Sequence, residues 1–195
     1  MINILDLLNV EEKRTLTRVS VTEGSTLFIE GQECQEVGIV ESGELQIISY
    51  THDGGEILYR TVTKGMMFGN NLVFSSDTSY KGNVIATNDS VINYLKKADL
   101  VQILQQNTAF LLEFLKYQSD MGKELNSQIK LLNISSAEER LYYFAHLNDD
   151  QIRYKSITSL AALLSIQRET LSRLISRLIK ESKIIRKNKT IKIIH

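Results

Sequence analysis

Between Ile166 and Glu181 the chain reads IQRETLSRLISRLIKE. Arginine forks, carboxylates and hydroxyls at helical spacing are groups that can exchange hydrogen bonds with nucleic-acid bases and phosphates. The spacing divides the stretch into two faces. Leu171, Leu174, Ile175 and Leu178 recur at i, i+3, i+4 and i+7, the pattern of a helix with one buried stripe. Glu169, Ser172, Arg173, Ser176 and Lys180 fall on the opposite face, with Gln167 and Arg168 at the N-terminal end. An arginine can hold guanine O6 and N7 together, and a glutamate can accept from cytosine N4. Ser172, Ser176, Arg177 and Lys180 suit phosphate oxygens. Glu169 would repel phosphates, so it fits a base edge or an ion pair with Arg173 four residues on. An ordinary three-helix domain with a solvated charged face has the same composition, and the stretch alone leaves both readings open.

Positioning such a helix requires a partner helix and a base. A first helix is expected from Thr158 to Leu164, with Thr158 or Ser159 as its cap and Leu160, Ala161 and Leu164 as its inner face. The break at Ser165-Ile166 makes the pair a helix-turn-helix candidate, in which Arg168, Glu169 and Arg173 occupy the part that contacts base edges. Upstream, Ser135-Ser136-Ala137-Glu138-Glu139 has the form of a capping box. It opens a helix to about Leu147 with Leu141, Phe144 and Ala145 inside, ended by Asn148-Asp149-Asp150. Ile184-Ile185, Lys187-Asn188-Lys189, Ile191 and Ile193-Ile194 read as a closing hairpin with Asn188 at its tip.

The first half has another texture. Residues 1–19 are amphipathic and expected to be helical, with Leu5, Leu8 and Leu16 apolar. Short apolar runs follow at Thr26–Ile29, Val37–Val40, Leu45–Ile48, Ile57–Val62, Val84–Ala86 and Val91–Leu95. Turn signals separate them, among them Asp53-Gly54-Gly55, a hairpin signature. This predicts an antiparallel sandwich or barrel. A short helix over 98–106 leads to a long one, capped by Asn107 or Thr108 and running to about Asn133. Phe110, Phe114, Tyr117, Met121, Leu125 and Ile129 form its apolar seam. At about 1.5 Å per residue it is about 39 Å long, more than a small barrel can cover, so a second copy of the same helix is its economical partner.

The 195 residues suggest one or two domains, 43% hydrophobic and formally neutral. The neutrality hides an asymmetry. Residues 151–195 hold eleven Lys or Arg and two Glu, a net +9, so residues 1–150 carry −9. A basic quarter on an acidic body points to a local surface for a polyanion. The single cysteine, Cys34, rules out an intramolecular disulfide, and Glu33 and Glu36 beside it are expected to raise its pKa and blunt it as a redox sensor. No phosphate loop, nucleophile elbow, metal-ligand spacing or catalytic triad is recognisable, so the expectation is no enzyme, no metal and no cofactor. His52, beside a hairpin turn, reads as solvated. With no signal pattern and no run long enough to span a bilayer, the expected location is the cytoplasm.

SLAALLSIQRETLSRLISRLIKESKI resembles the winged helix-turn-helix of the cAMP receptor protein/fumarate-nitrate regulator (Crp/Fnr) family, with its R-E-T-x-x-R core at Arg168-Glu169-Thr170-Leu171-Ser172-Arg173. EGSTLFIEGQ, ESGELQI and GMMFGN resemble that family's cyclic-nucleotide-binding β-roll. The resemblance covers nearly the whole chain. It implies an α+β fold with a cyclic-nucleotide-binding-like β-roll (jelly roll) over 1–106, a long dimerisation helix over 107–133 and a winged helix-turn-helix over 134–195. It further implies a bacterial, homodimeric transcription regulator that reads a palindromic operator in double-stranded DNA, with RNA polymerase as a further partner. Arg168, Glu169 and Arg173 would read bases.

Two motif positions depart from the family. Ser165 stands where a turn glycine is usual, and Ser182-Lys183 replaces the glycine after the second helix; an adjusted turn is the expected result. The effector pocket departs further. Cyclic-nucleotide binders place a glutamate after Phe-Gly and an arginine ten residues later. Here Asn70 follows Phe68-Gly69, with Asn71 next, and Tyr80 stands ten further on. Tyr80 cannot neutralise a phosphate, and Lys81 beside it would point away from the pocket on a strand. Counting back from Glu139-Arg140, the helix positions that touch the base read Leu125-Asn126. Loss of a charge-assisted phosphate pair costs several kcal/mol, which argues against cAMP and leaves the effector unnamed. The competing class is a small-molecule sensor module that works through protein contacts, its basic domain being incidental.

Overall fold

The computed structural model describes residues 3–194, in two compact units that divide between Ser119 and Asp120. In the first unit a 3-10 turn at Ile4–Leu7 precedes α1 (Val10–Arg14), which Asn9 and Glu12 close with a reciprocal capping box. The helix expected over residues 1–19 ends there (Met1 and Ile2 lie outside the described residues). Thr17–Val21 is instead strand β1. Its β-branched Thr17, Val19 and Val21 alternate with Arg18 and Ser20, a period of two that favours extended backbone.

The following strands are β2 (Thr26–Phe28), β3 (Glu36–Ser42), β4 (Glu44–Tyr50), β5 (Glu56–Thr63), β6 (Met67–Phe68), β7 (Asn83–Ala86) and β8 (Ser90–Lys96). Each expected apolar run falls in one of them, except that Ile29 lies just past the end of β2. They pair antiparallel in two sheets of four, ordered β1-β8-β3-β6 and β2-β7-β4-β5. Asp53-Gly54-Gly55 turns β4 into β5, with Gly54 at φ +82°. The inner faces meet in one core that includes Val37, Ile39, Leu45, Val62, Val84 and Ile92. Gly38 makes room for Phe68: a Cβ there would stand 2.1 Å from the ring.

Helix α2 (Lys97–Gln106) leads to α3 (Thr108–Asn133). Asn107 is the hinge between them. Its Oδ1 accepts from Phe110 N at 3.0 Å, capping α3, while its Nδ2 donates to Leu7 O and the Glu12 carboxylate. One side chain thus starts the long helix and ties down the N-terminal turn.

The second unit takes in the rest of α3, then α4 (Ala137–His146), β9 (Gln151–Arg153), α5 (Ile157–Leu163), α6 (Arg168–Lys180), β10 (Ile184–Lys187) and β11 (Thr190–Ile193). The strands form one antiparallel sheet, ordered β10-β11-β9, and Asn188 at φ +53° turns the β10–β11 hairpin. Leu131, Leu141, Ile152, Leu160, Leu164, Leu171, Leu178 and Ile191 share its core. Ser136 caps α4 through Glu139 N, the first half of the expected box. Ser156, rather than Thr158 or Ser159, caps α5: Ser156 and Ser159 bond each other's backbone N–H, and Thr158 lies exposed within the first turn.

Candidate nucleic-acid interface and effector seat

On α6 the apolar stripe faces inward: Leu171, Leu174, Ile175 and Leu178 are all buried. At roughly 1.5–3 kcal/mol per fully buried side chain, they hold the helix down strongly enough to leave its other face free of packing duty. That face is exposed and carries Arg168, Glu169, Ser172, Arg173, Ser176, Arg177 and Lys180. Ser172, Arg173, Ser176, Arg177 and Lys180 border one shallow depression. Gln167, exposed at the N-cap, lends no side-chain bond to the first turn, so the leading N–H groups of α6 remain open.

The ion pairs distinguish the basic side chains. Arg177 is bound to Glu138 on α4 at 2.6 Å, and Lys183 shares that carboxylate. Arg168 stands 4.0 Å from Glu169, so of the two settings considered for Glu169 the ion pair with Arg173 is not formed, and a looser one between neighbours stands instead. The Arg173 side chain makes no ion pair or hydrogen bond among the described residues. Ser176 donates to Ser172 O at 3.0 Å and leaves its own oxygen available as an acceptor.

Both substituted turns keep the form that glycine would give them. Ser165 lies at φ +52°, its N–H donating to Ala162 O and the Ile166 N–H to Ala161 O. Ser182 lies at φ +57°, with the same two bonds to Ile179 and Leu178. These are Schellman caps, in which the left-handed residue satisfies carbonyls left open at a helix end. The adjusted turns expected from the sequence do not occur: serine occupies the left-handed geometry itself, at a cost of roughly 1–2 kcal/mol each.

At the effector seat in the first unit, Asn70 and Tyr80 are both buried, 1% and 3% exposed. Gly69, at φ +74°, has no space for a Cβ, which would stand 2.9 Å from Cys34 Sγ and Glu36 O. Tyr80 lies against the Cys34 thiol and stacks on Phe28 with ring centroids 4.6 Å apart. Burial drives the Tyr80 phenol pKa far upward, so the hydroxyl stays neutral. The Cys34 thiol is raised too, chiefly by burial, with Glu36 a lesser cause than the sequence suggested. Lys81 is exposed and paired with Asp77. Asn71 is exposed as well.

Asn70 is met by a residue that sequence reasoning passed over. Its Nδ2 donates to Gln118 Oε1, and Gln118 Nε2 donates back to Asn70 O at 3.0 Å. One residue earlier, the Tyr117 hydroxyl accepts from Met67 N at 2.8 Å and donates to Met67 O at 3.0 Å, and it also accepts from Arg60. The early turns of α3 are thus fastened to β6 and its following loop by the chain's own side chains. Leu125 and Asn126, carried over as effector contacts, are exposed in the second unit.

The expected α3 seam also shifts. Phe110 and Phe114 belong to the core of the first unit, 0% and 4% exposed, and Tyr117 is committed to β6. Met121 is half-buried. Exposed Leu115, Gly122, Leu125, Ile129 and Leu132, with half-buried Leu111 and Gln118, fall on one stripe at alternating spacings of four and three. Leu115, Leu125, Ile129 and Leu132 are 51%, 58%, 49% and 56% exposed. A strict seven-residue repeat of this kind is a coiled-coil seam. Of the residues of the expected seam, Leu125 and Ile129 lie on it.

A family model described as the cyclic nucleotide-binding domain matches residues 18–107. The chain is 26% identical to the Anaerobic regulatory protein of Bacillus subtilis (strain 168) over 126 residues, 65% of this chain. That match covers 53% of the relative, so the chain spans about half the length of the curated protein it matches. Among solved structures, a CooA variant from Carboxydothermus hydrogenoformans superposes with a TM-score of 0.74 at 22% identity, over 98% of this chain and 91% of that one. CprK complexed with OCPA gives 0.78 at 16% identity, over 98% and 89%. The class is a cyclic-nucleotide-binding-type β-roll joined by a long helix to a winged helix-turn-helix. In the order of β-roll, long helix and C-terminal helical unit, the chain has the fold of these solved structures.

Proposed function

We propose that this chain is a homodimeric transcription regulator that places α6 in the major groove of a palindromic operator, without cAMP as its effector. The observation that carries the reading is the division of α6: four buried aliphatic side chains on one face, and Arg168, Glu169, Ser172 and Arg173 exposed on the other. Arg173, with no internal ion pair, is the principal base reader, and its guanidinium fork matches guanine O6 and N7. Arg168 and Glu169 occupy the leading turn, where helix-turn-helix proteins touch base edges. Gln167, Thr158, Ser172 and Ser176 supply phosphate or base contacts, and Arg177 joins them by exchanging Glu138 for a phosphate.

Dimerisation is assigned to the heptad stripe of α3 facing a second copy of itself, continuing the unpaired apolar positions Leu115, Leu125, Ile129 and Leu132. A two-fold dimer reads two inverted half-sites. The effector seat supports independence from cAMP, because buried Tyr80, stacked on Phe28, stands there without a positive charge and Gln118 engages Asn70. Selecting bound fragments from random duplex DNA with the purified full chain tests the reading. The expected outcome is an inverted repeat with half-site centres about 10–11 bp apart. Recovery of no common sequence, with binding that follows only salt, overturns it.

A further inference from the structure

Arg140 stands on the first turns of α4, away from the reading face of α6, yet its guanidinium binds the ends of two other helices. Nε donates to Ile134 O at 2.6 Å and Nη2 to Leu132 O at 3.3 Å, the last turn and exit of α3. Nη1 donates to Ser165 O at 2.7 Å and to Leu164 O at 3.4 Å, the C-cap and turn between α5 and α6. The final carbonyls of a helix lack intrahelical partners and carry the negative end of its dipole. A planar, permanently charged fork can satisfy two such ends at once with fixed geometry, whereas a lysine offers a single mobile point. All four acceptors and Arg140 itself lie in the second unit.

We infer that Arg140 is the positioning residue that fixes α6 relative to the C-terminal end of α3, and that it thereby sets the spacing at which a dimer accepts its two half-sites. The inference rests on the proposed function and deepens it. The Ser165 turn is the immediate entry to α6, and its left-handed backbone has no glycine to make it easy. Holding Ser165 O therefore fixes where α6 begins. Holding Leu132 O and Ile134 O fixes that point to the helix which, in the dimer, carries the two-fold axis. Moving a half-site by one base pair turns it by about 36° and shifts it by about 3.4 Å. Discrimination against such a step requires a stiff connection between the dimer helix and the reading helix, and Arg140 bridges the two directly.

The test uses the full chain, as wild type, Arg140→Gln and Arg140→Lys, against the selected operator and versions with half-site centres moved by one and two base pairs. Binding to single half-sites with each base changed is measured in parallel. Wild type should favour one spacing sharply. Arg140→Gln should flatten that preference several-fold while keeping its base preferences within a half-site, and Arg140→Lys should fall between. A uniform loss of affinity at every spacing, or an unchanged spacing profile, would assign Arg140 a merely structural role and overturn the inference. Should Arg140→Gln fail to fold, the lysine variant decides alone: an unchanged profile overturns the inference and a partly flattened one supports it. Wild-type protein that selects no operator overturns the underlying reading and the inference with it, an outcome visible before any variant is measured.

Discussion

Arg173 and Arg177 sit four residues apart on one helix, and their surroundings separate their roles. Glu138 holds Arg177, whereas Arg173 meets no carboxylate among the described residues. A reader of bases gains from being unpaired beforehand, since it has no internal bond to break on binding. At the effector seat, neutral Tyr80 occupies the position that a phosphate-binding arginine has in the family resemblance, and burial keeps it neutral. A ligand bound at a thousand times its Kd stabilises a fold by about 4 kcal/mol, enough to raise Tm by several degrees. About 1 mM cAMP should accordingly leave the thermal midpoint of this protein unchanged, as followed by calorimetry. A rise of several degrees would mean that the seat still takes the nucleotide. The Asn70 and Tyr80 departures were legible because they follow a fixed spacing from Phe68-Gly69. Gln118 was not, since its partner is brought to it only by folding.

The long helix α3 carries two apolar stripes that differ by about one residue in phase. Phe110, Phe114 and Tyr117 serve the β-roll; Leu111, Leu115, Leu125, Ile129 and Leu132 form the open heptad. Periodicity alone merged them into one seam, because both follow spacings of three and four. The length of the helix and its start near Asn107 were nevertheless readable from the sequence. Thr17–Val21 shows the opposite failure: Leu5, Leu8 and Leu16 suggested one helix, and the alternation of β-branched residues was the better guide. For the seam, replacing Leu125 and Ile129 together by Glu should dissociate the proposed dimer without unfolding either unit. Sedimentation velocity should show one half of the wild-type mass, with the circular dichroism spectrum retained. A double variant that remains dimeric would move the interface off this stripe.

In the whole molecule, charge and architecture run in parallel: the residues of net +9 coincide with the helix-turn-helix and its wing, and the −9 lies upstream of them. That asymmetry, the glycine-punctuated strands and the motif around Arg168 were all visible in the sequence and defined the order of the fold. The bonds of Arg140 were not, because they join residues up to twenty-five positions apart through backbone carbonyls that any side chain would present. The proposed regulator stands or falls on sequence-specific reading by α6. The most direct measurement is the affinity of wild type and Arg173→Ala for the selected operator and for an unrelated duplex at one salt concentration. The variant should lose about 1–3 kcal/mol per half-site on the operator and far less on the unrelated duplex. Equal affinity of the two proteins for the operator would contradict the assignment of α6 as the reading helix.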